Sequence, residues 1–354
     1  MLKKGIIFAI SIPFVSIIYS PSLYTIAAFI YISVTLTPFY LIKNSRSIYV
    51  HNNYSTYILG LINFTLAAMY GYTVMQQLGL TAYNFLDIDG IYETAIKASS
   101  ARYIELGDES GNGSPLILSG LLFLSYLIGN NTSKSLLKIF IALLPFILIA
   151  IITTTKFPLL MGIVFYLLGW LTAGNKLQFN LTEKIILILI FIILILILYV
   201  SLYNRGYEEQ IIPILVNYIF TQYTNFGHWI LDSNELHKYG LGSYTFIGPL
   251  SYLGILERPS GIFDNGLGQN GLESNIFTAW RFLVEDFGYF GPILINILIV
   301  YIFLLLKFYR YNKFLLIIQS FLFISLSISF TTNIFTYNSI FIAFIYISLY
   351  LLKP

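Results

Sequence analysis

Apolar residues gather along this chain into long blocks broken by short polar segments. A helix needs about 20 mostly apolar residues to cross a bilayer. Ten blocks meet that need, roughly at 5–20, 23–42, 55–77, 115–130, 136–155, 157–173, 185–203, 291–307, 313–331 and 334–352. The pattern therefore predicts an all-α, polytopic integral membrane protein with about ten transmembrane helices and both termini on one side. The opening "MLKKGIIFAISIPFVSIIYSPS" has signal-peptide character, but further apolar blocks follow at once, so it reads as the first span. No repeat of 20–50 residues stands out, and the chain reads as a single membrane domain over 1–354.

Polar residues concentrate in two segments, 78–114 and 204–290. The second contains an apolar stretch, 211–231, whose polar positions Asn217, Thr221, Thr224, Asn225, His228 and Asp232 share one helical face. This spacing predicts an interfacial or re-entrant helix with its polar stripe toward a cavity. Residues 241–256 are expected as the second half of such a hairpin, with a pair of crossings as the alternative. "ERPSGIFDNGLGQNGLESN" follows, rich in turn formers, and predicts an irregular loop.

Composition agrees with lipid as solvent: 57% of residues are hydrophobic and 10% are charged, against about 25% charged in soluble domains. The absence of cysteine excludes disulfides, thiol catalysis and Cys-based metal sites. Charge orients the chain. With the N-terminus in the cytoplasm, the inner segments hold twelve of the 19 basic residues and, in Glu183, one of the 16 acids. That asymmetry follows the positive-inside rule and turns 78–114 and 204–290 outward. A single crossing at 211–231 would put Lys307, Arg310 and Lys313 outside, against the rule. No nucleotide-binding motif is visible, and no cytoplasmic loop is long enough for a nucleotide-using domain.

The most charged boundary is "NIFTAWRFLVEDFGYFGP", residues 275–292. On a continuous helix Asn275, Thr278, Arg281 and Glu285 fall on one face, with Asp286 beside them. Gly288 and Gly291 loosen that helix, and Pro292 suits the first turn of the next. A plain i,i+4 ion pair between Arg281 and Glu285 at headgroup level is one reading. Charge beside a membrane is otherwise a functional signal.

These residues resemble the signature of oligosaccharide repeat-unit polymerases, the Wzy-type O-antigen and capsule polymerases. There an Asn-x-Phe-Thr segment precedes an acidic DFG-x-x-G element at the start of a late span; the matching residues here are Asn275, Phe277, Thr278, Asp286, Phe287, Gly288 and Gly291. The resemblance implies a GT-C-like fold in the bacterial cytoplasmic (inner) membrane, working on the periplasmic face. It implies transfer of a growing glycan from undecaprenyl pyrophosphate to a lipid-linked repeat unit, yielding O-antigen or capsular polysaccharide. The implied partners are that lipid-linked oligosaccharide, membrane lipid, a chain-length regulator and a flippase. No cofactor, metal or nucleic acid is expected.

A pyrophosphate leaving group calls for fixed positive charge, which an arginine fork supplies best. Arg281 and Arg205 are therefore the first catalytic candidates, with His228 and Glu273 as candidate bases. Lys156, Arg258, Asn275, Thr278, Glu285 and Asp286 are candidate substrate contacts. Arg205 and Lys156 sit at span ends, where snorkelling is the plainer role. Trp229 and Trp280 suit sugar stacking or an interfacial belt. "LDIDG" supplies Asp87 and Asp89 as a DxD pair, a common chance match. The competing functions are an O-antigen ligase and a lipid-linked oligosaccharide flippase. The spans carry almost no charge, and the polar residues lie in one outer segment, which disfavours a transporter.

Overall fold

A computed structural model describes residues 2–42, 54–77, 79, 90, 97, 114–131, 136–153, 157–174, 211–232, 240–257, 266–267, 273–274, 278–330 and 332–353, together with 185, 188, 189, 192, 195, 196 and 199. At 136–137, 211–219, 232, 266–267 and 273–274 it describes the backbone alone. The described chain is helical, apart from one small hairpin. Its helices are α1 (Leu2–Tyr19), α2 (Leu23–Leu36, continued by a 3₁₀ turn Thr37–Leu41), α3 (Thr56–Gln77), α4 (Pro115–Gly129), α5 (Leu136–Thr153), α6 (Phe157–Thr172), α7 (Ile211–Asp232), α8 (Ile247–Tyr252), α9 (Ala279–Phe287), α10 (Gly291–Phe308), α11 (Asn312–Ile328) and α12 (Asn338–Leu352). The hairpin pairs β1 (Gly266–Leu267) with β2 (Glu273–Ser274), antiparallel, with Gly266 opposite Ser274 and Leu267 opposite Glu273.

Nine of the ten expected spans are helices with ends close to those expected. Four of these, with the 3₁₀ turn counted into α2, are long and apolar enough to cross a membrane: Leu2–Tyr19, Leu23–Leu41, Thr56–Gln77 and Gly291–Phe308. Five further apolar helices are shorter, from Pro115–Gly129 to Asn338–Leu352. In the block 185–203 the described residues Ile185, Ile188, Leu189, Ile192, Ile195, Leu196 and Tyr199 are helical and exposed. Their steps of one and three residues trace one apolar face. α3 exposes a similar face through Tyr57, Ile58, Leu61, Ile62, Met69 and Tyr72, and α10 through Leu294, Ile297, Leu298, Tyr301, Ile302 and Leu305. Apolar faces this long belong against lipid rather than water.

Helix starts follow local chemistry. Ser22 caps α2 by accepting the Thr25 N–H on its Oγ at 3.1 Å. Proline occupies the first turn of α4 and of α10, where a missing N–H costs nothing.

The described residues group into two compact units: Met1–Ile48 with Ile212–Phe341 and Ser348–Pro354, and Tyr49–Ile211 with Ile342–Ile347. In the first, α1 lies along α11. Gly5 faces Phe323 and Leu326, and further along the Phe8 ring meets Phe330 with 6.0 Å between centroids. Contacts that advance together mean that the two helices run in the same direction. α2 and α10 do likewise: Tyr31 Oη donates to the Tyr289 carbonyl at 2.7 Å, and one turn on Asn296 Nδ2 donates to the Thr35 carbonyl at 2.8 Å. The buried cluster of this unit joins Ala28, Ile32 and Leu36 of α2 to Tyr223 and Trp229 of α7, Trp280 and Val284 of α9, and Phe303 of α10.

The second unit is held by small and amide side chains. Gly129 and Gly169 let α4 and α6 touch backbone to backbone. A Cβ on Gly169 would lie 2.0 Å from the Tyr126 carbonyl oxygen, and one on Gly129 would lie 2.2 Å from that of Tyr166. Asn130 Nδ2 then reaches Thr172 Oγ1 at 2.9 Å, Ser125 Oγ reaches the Gly162 carbonyl at 3.0 Å, and Asn63 Nδ2 ties α3 to the Ala142 carbonyl of α5 at 3.3 Å. Close approach and interhelical hydrogen bonds replace the hydrophobic drive that lipid cannot supply. Gly169→Val is expected to force α4 and α6 apart, at a cost of about 3 kcal/mol or more because the obstacle is backbone. Gly5→Ala meets ordinary van der Waals space at 3.4 Å and is expected to be tolerated. Membrane accumulation and thermal aggregation midpoints of the two variants check this.

Candidate functional site

The segment that carries the charges is a nine-residue helix, α9, preceded by Thr278 as its N-cap residue and tied to α11 through the Ala279 N–H, which donates to the Ser329 carbonyl at 2.9 Å. It begins at Ala279. Of the four polar residues expected on one helix, Arg281 and Glu285 stand on α9 and Thr278 at its cap. The polar face is not open. Thr278, Arg281, Glu285 and Asp286 are all buried, as are Trp280, Phe282 and Val284.

Arg281 is only 9% exposed. Its guanidinium carbon stands 5.1 Å from the ring centre of Trp229 on α7. A cation over an indole face is stabilised by about 0.5–2 kcal/mol, more when desolvated. The arginine is thus positioned across to another helix, not only along its own. Trp229 and Trp280 are buried in the shared cluster, so their faces serve protein packing.

α7 is where expected, but its polar stripe splits. Thr221 and Asn225 are buried, and Thr224 Oγ1 meets Thr25 Oγ1 of α2 at 3.0 Å. His228 is exposed, its ring 4.7 Å from that of Tyr24. Gly227 allows the crossing, because a Cβ there would lie 1.8 Å from the Tyr24 carbonyl oxygen. Phe220 meets Tyr19, Phe226 meets Tyr31, and the Ile230 carbonyl accepts Tyr289 Oη at 3.3 Å. The last turns of α7 therefore run beside the first turns of α2, down to the corner between α9 and α10. Around this contact Tyr223 Oη, Asn225 Nδ2, Thr278 Oγ1 and Trp280 Nε1 are buried without a hydrogen-bond partner among the described residues. All four can donate, and a buried unpaired donor costs about 1–3 kcal/mol.

Residues 241–256 form a turn and a short helix rather than a crossing. A tight turn at 241–246 leads into α8, which has only six residues and is about 9 Å long, far short of a crossing. Gly242 and Ser243 serve the turn. Its anchor is Asp286, whose Oδ1 accepts the Tyr244 N–H at 3.1 Å and whose Oδ2 accepts the Thr245 N–H. The Gly240 N–H donates to the Glu285 carbonyl at 3.4 Å. Gly288 then closes α9 at φ 71°, a backbone setting that favours glycine, and Gly291 leaves space that a Cβ would share with the Cβ of Phe287 at 2.2 Å. The Asp-Phe-Gly-x-x-Gly string thus builds the corner between α9 and α10.

Of the sequence-predicted site residues, Arg281, Glu285, Asp286 and Thr278 lie together around α9, and His228 lies one residue before Trp229 on α7. Glu273 is placed on β2 by its backbone. Arg205, Lys156, Arg258 and Asn275 lie outside the described residues, as do Asp87 and Asp89. Asn225 and the Tyr244–Thr245 backbone were missed as site elements. Asn225 was visible as part of the α7 stripe, whereas backbone N–H groups leave no sequence signal. Among the described residues no three His, Asp or Glu side chains group as a metal site.

Trp229→Ala and Arg281→Met are expected to couple by about 0.5–2 kcal/mol in a double-mutant cycle on unfolding in mixed detergent. Additive losses would show that the stacking is incidental. No protein-family model matches this chain, and neither a curated protein nor a solved structure is significantly similar to it.

Proposed function

We propose that this chain is a glycan polymerase of the cytoplasmic membrane, joining lipid-pyrophosphate-linked oligosaccharide repeat units on its outer face. The observation that carries the reading is Arg281, a permanently charged group buried in an apolar helical cluster and held over Trp229 at the mouth of α10. A guanidinium fixed at that place suits a pyrophosphate, whose oxygens match its fork of donors. On α7 and on α9 with its cap, Asn225 Nδ2, Trp280 Nε1 and Thr278 Oγ1 are buried donors without a partner among the described residues, and such donors suit oxygen-rich, anionic groups. The Wzy-like string from Asn275 to Gly291 points to the same chemistry.

The helix directions support an outward-facing site. α2 and α10 run in the same direction, as do α1 and α11. With a crossing at 185–203, the parallel course of α2 and α10 requires an even number of crossings between 204 and 290. α8 is too short to cross, so α7 is read as a re-entrant helix that descends beside α2 and stops at the α9–α10 corner. Ten crossings would leave both termini on one side, which the charge asymmetry assigns to the cytoplasm, with α7, α9 and the β hairpin read as outer.

In the reaction, a hydroxyl oxygen of the acceptor sugar bonds to the anomeric carbon of the growing glycan as the carbon–oxygen bond to pyrophosphate breaks. The hydroxyl proton passes to a base, for which exposed His228 is the best-placed candidate among the described residues. Arg281 opposes the charge that builds on the departing pyrophosphate, without a nucleotide or a metal.

Deleting the gene is expected to leave surface glycan as single repeat units in place of a long ladder. Arg281→Ala is expected to shorten the ladder at normal protein level, and Arg281→Lys to restore it in part because charge returns without the fork. A full ladder in the deletion strain sinks the reading. Loss of all surface glycan with long lipid-linked chains accumulating assigns the chain as a ligase. Repeat units trapped on the inner leaflet assign it as a flippase.

A further inference from the structure

We propose that Asp286 is the positioning residue of this site: it locks the Gly240–Phe246 turn onto the α9–α10 corner, thereby steadies α9 and Arg281 on it, and makes no contact with substrate. The proposal rests on the reading of Arg281 as a substrate contact.

The Asp286 carboxylate is wholly committed to the protein. Its side chain is 0% exposed, and each oxygen accepts one backbone N–H, from Tyr244 and from Thr245. Two successive N–H groups aimed at one carboxylate form a small anion-binding nest. A base or substrate contact needs a free lone pair facing a ligand, and this buried carboxylate faces the turn instead.

The turn in its place depends on that anchor. Leu241 has φ 49° and Gly242 has φ 100°. A leucine in this region is uncommon and is held by its surroundings, not by its own preference. Gly240 fits beneath the carboxylate only because it lacks a Cβ, which would lie 2.6 Å from Asp286 Oδ1 and 2.4 Å from Ser243 Oγ. Beyond the turn, the Phe246 ring packs on Phe335 at 4.6 Å, and Gly248 presses on the Phe335 carbonyl.

Seven residues separate the end of α7 from Gly240. α7 is pinned to α9 by Arg281 over Trp229, and to the corner by Tyr289 Oη on the Ile230 carbonyl. The end of α7 and the turn are thus each fastened to α9, the first by Arg281 over Trp229 and the second by Asp286. When the Asp286 fastening is lost, the turn leaves the α9–α10 corner, and α9, which carries Arg281, loses the support on that side.

The chain has no cysteine, so paired spin labels can be placed cleanly. Leu253→Cys and Phe290→Cys, both at exposed positions, are labelled with nitroxides and their separation is measured in membranes, alongside the surface glycan ladder at equal protein level. Asp286→Asn puts an amide donor against a backbone N–H and is expected to lose the narrow distance peak and the long ladder together. Gly240→Ala, which changes no titratable group, is expected to do the same and carries the comparison if Asp286→Asn fails to accumulate. Arg281→Ala is expected to shorten the ladder while keeping the peak. A shortened ladder with the peak intact in Asp286→Asn places Asp286 on the substrate and overturns the proposal. A lost peak with a full ladder, or both readouts unchanged, overturns it as well. A full ladder after gene deletion sinks the polymerase reading itself, a failure visible before any Asp286 variant is read.

Discussion

Burying a charge among apolar helices is the constraint on which this molecule's polar architecture depends. Water cannot compensate the buried groups, so the protein itself has to meet them. Asp286 is met by two backbone N–H groups, and Arg281 by the face of Trp229. These two solutions lie five residues apart on one short helix. The carboxylate organises a turn and the guanidinium bridges to α7, so the same α9 carries both an anchor and a buried cation.

The same constraint shapes the unit that carries no proposed chemistry. There Asn63, Ser125 and Asn130 each donate to a neighbouring helix, and Gly129 and Gly169 let carbonyls approach within backbone contact. Lipid gives apolar side chains little reason to leave it for one another, so close packing and hydrogen bonds have to hold the helices. Glycine therefore serves two purposes in this chain. In α4 and α6 it removes bulk, while at Gly288 and Gly242 it supplies a positive φ for a sharp turn.

The string around Asp286 illustrates how one motif can mix roles. Its aspartate and glycines are read as corner pieces, because their neighbours are backbone atoms of 240–245 and of α9 itself. Arg281, which the string flanks, is the group proposed to meet a phosphate-linked glycan, because its fork of donors matches phosphate oxygens. An acid next to a proposed site is thus assigned by what its oxygens already hold, not by its proximity.

How much was legible in the sequence follows from the range of each signal. Span length and hydropathy are local, and the helix ends at Tyr19, Gln77, Gly129 and Phe308 fall close to where the apolar blocks stop. The amphipathic helix at 211–232, the break at Gly288 and the new start at Pro292 were likewise readable, because each depends on residues a few places apart. The start of α9 at Ala279 was not, since a continuous 3.6 period runs back through Asn275 and nothing local marks where the helix must begin. Only the tertiary structure decided that Arg281 rests on Trp229, 52 residues earlier, and that Asp286 is spent on Tyr244 and Thr245. Those choices depend on distant backbone and aromatic groups being brought together. Periodicity shows which side of a helix is polar, but it carries no information about what that side will meet.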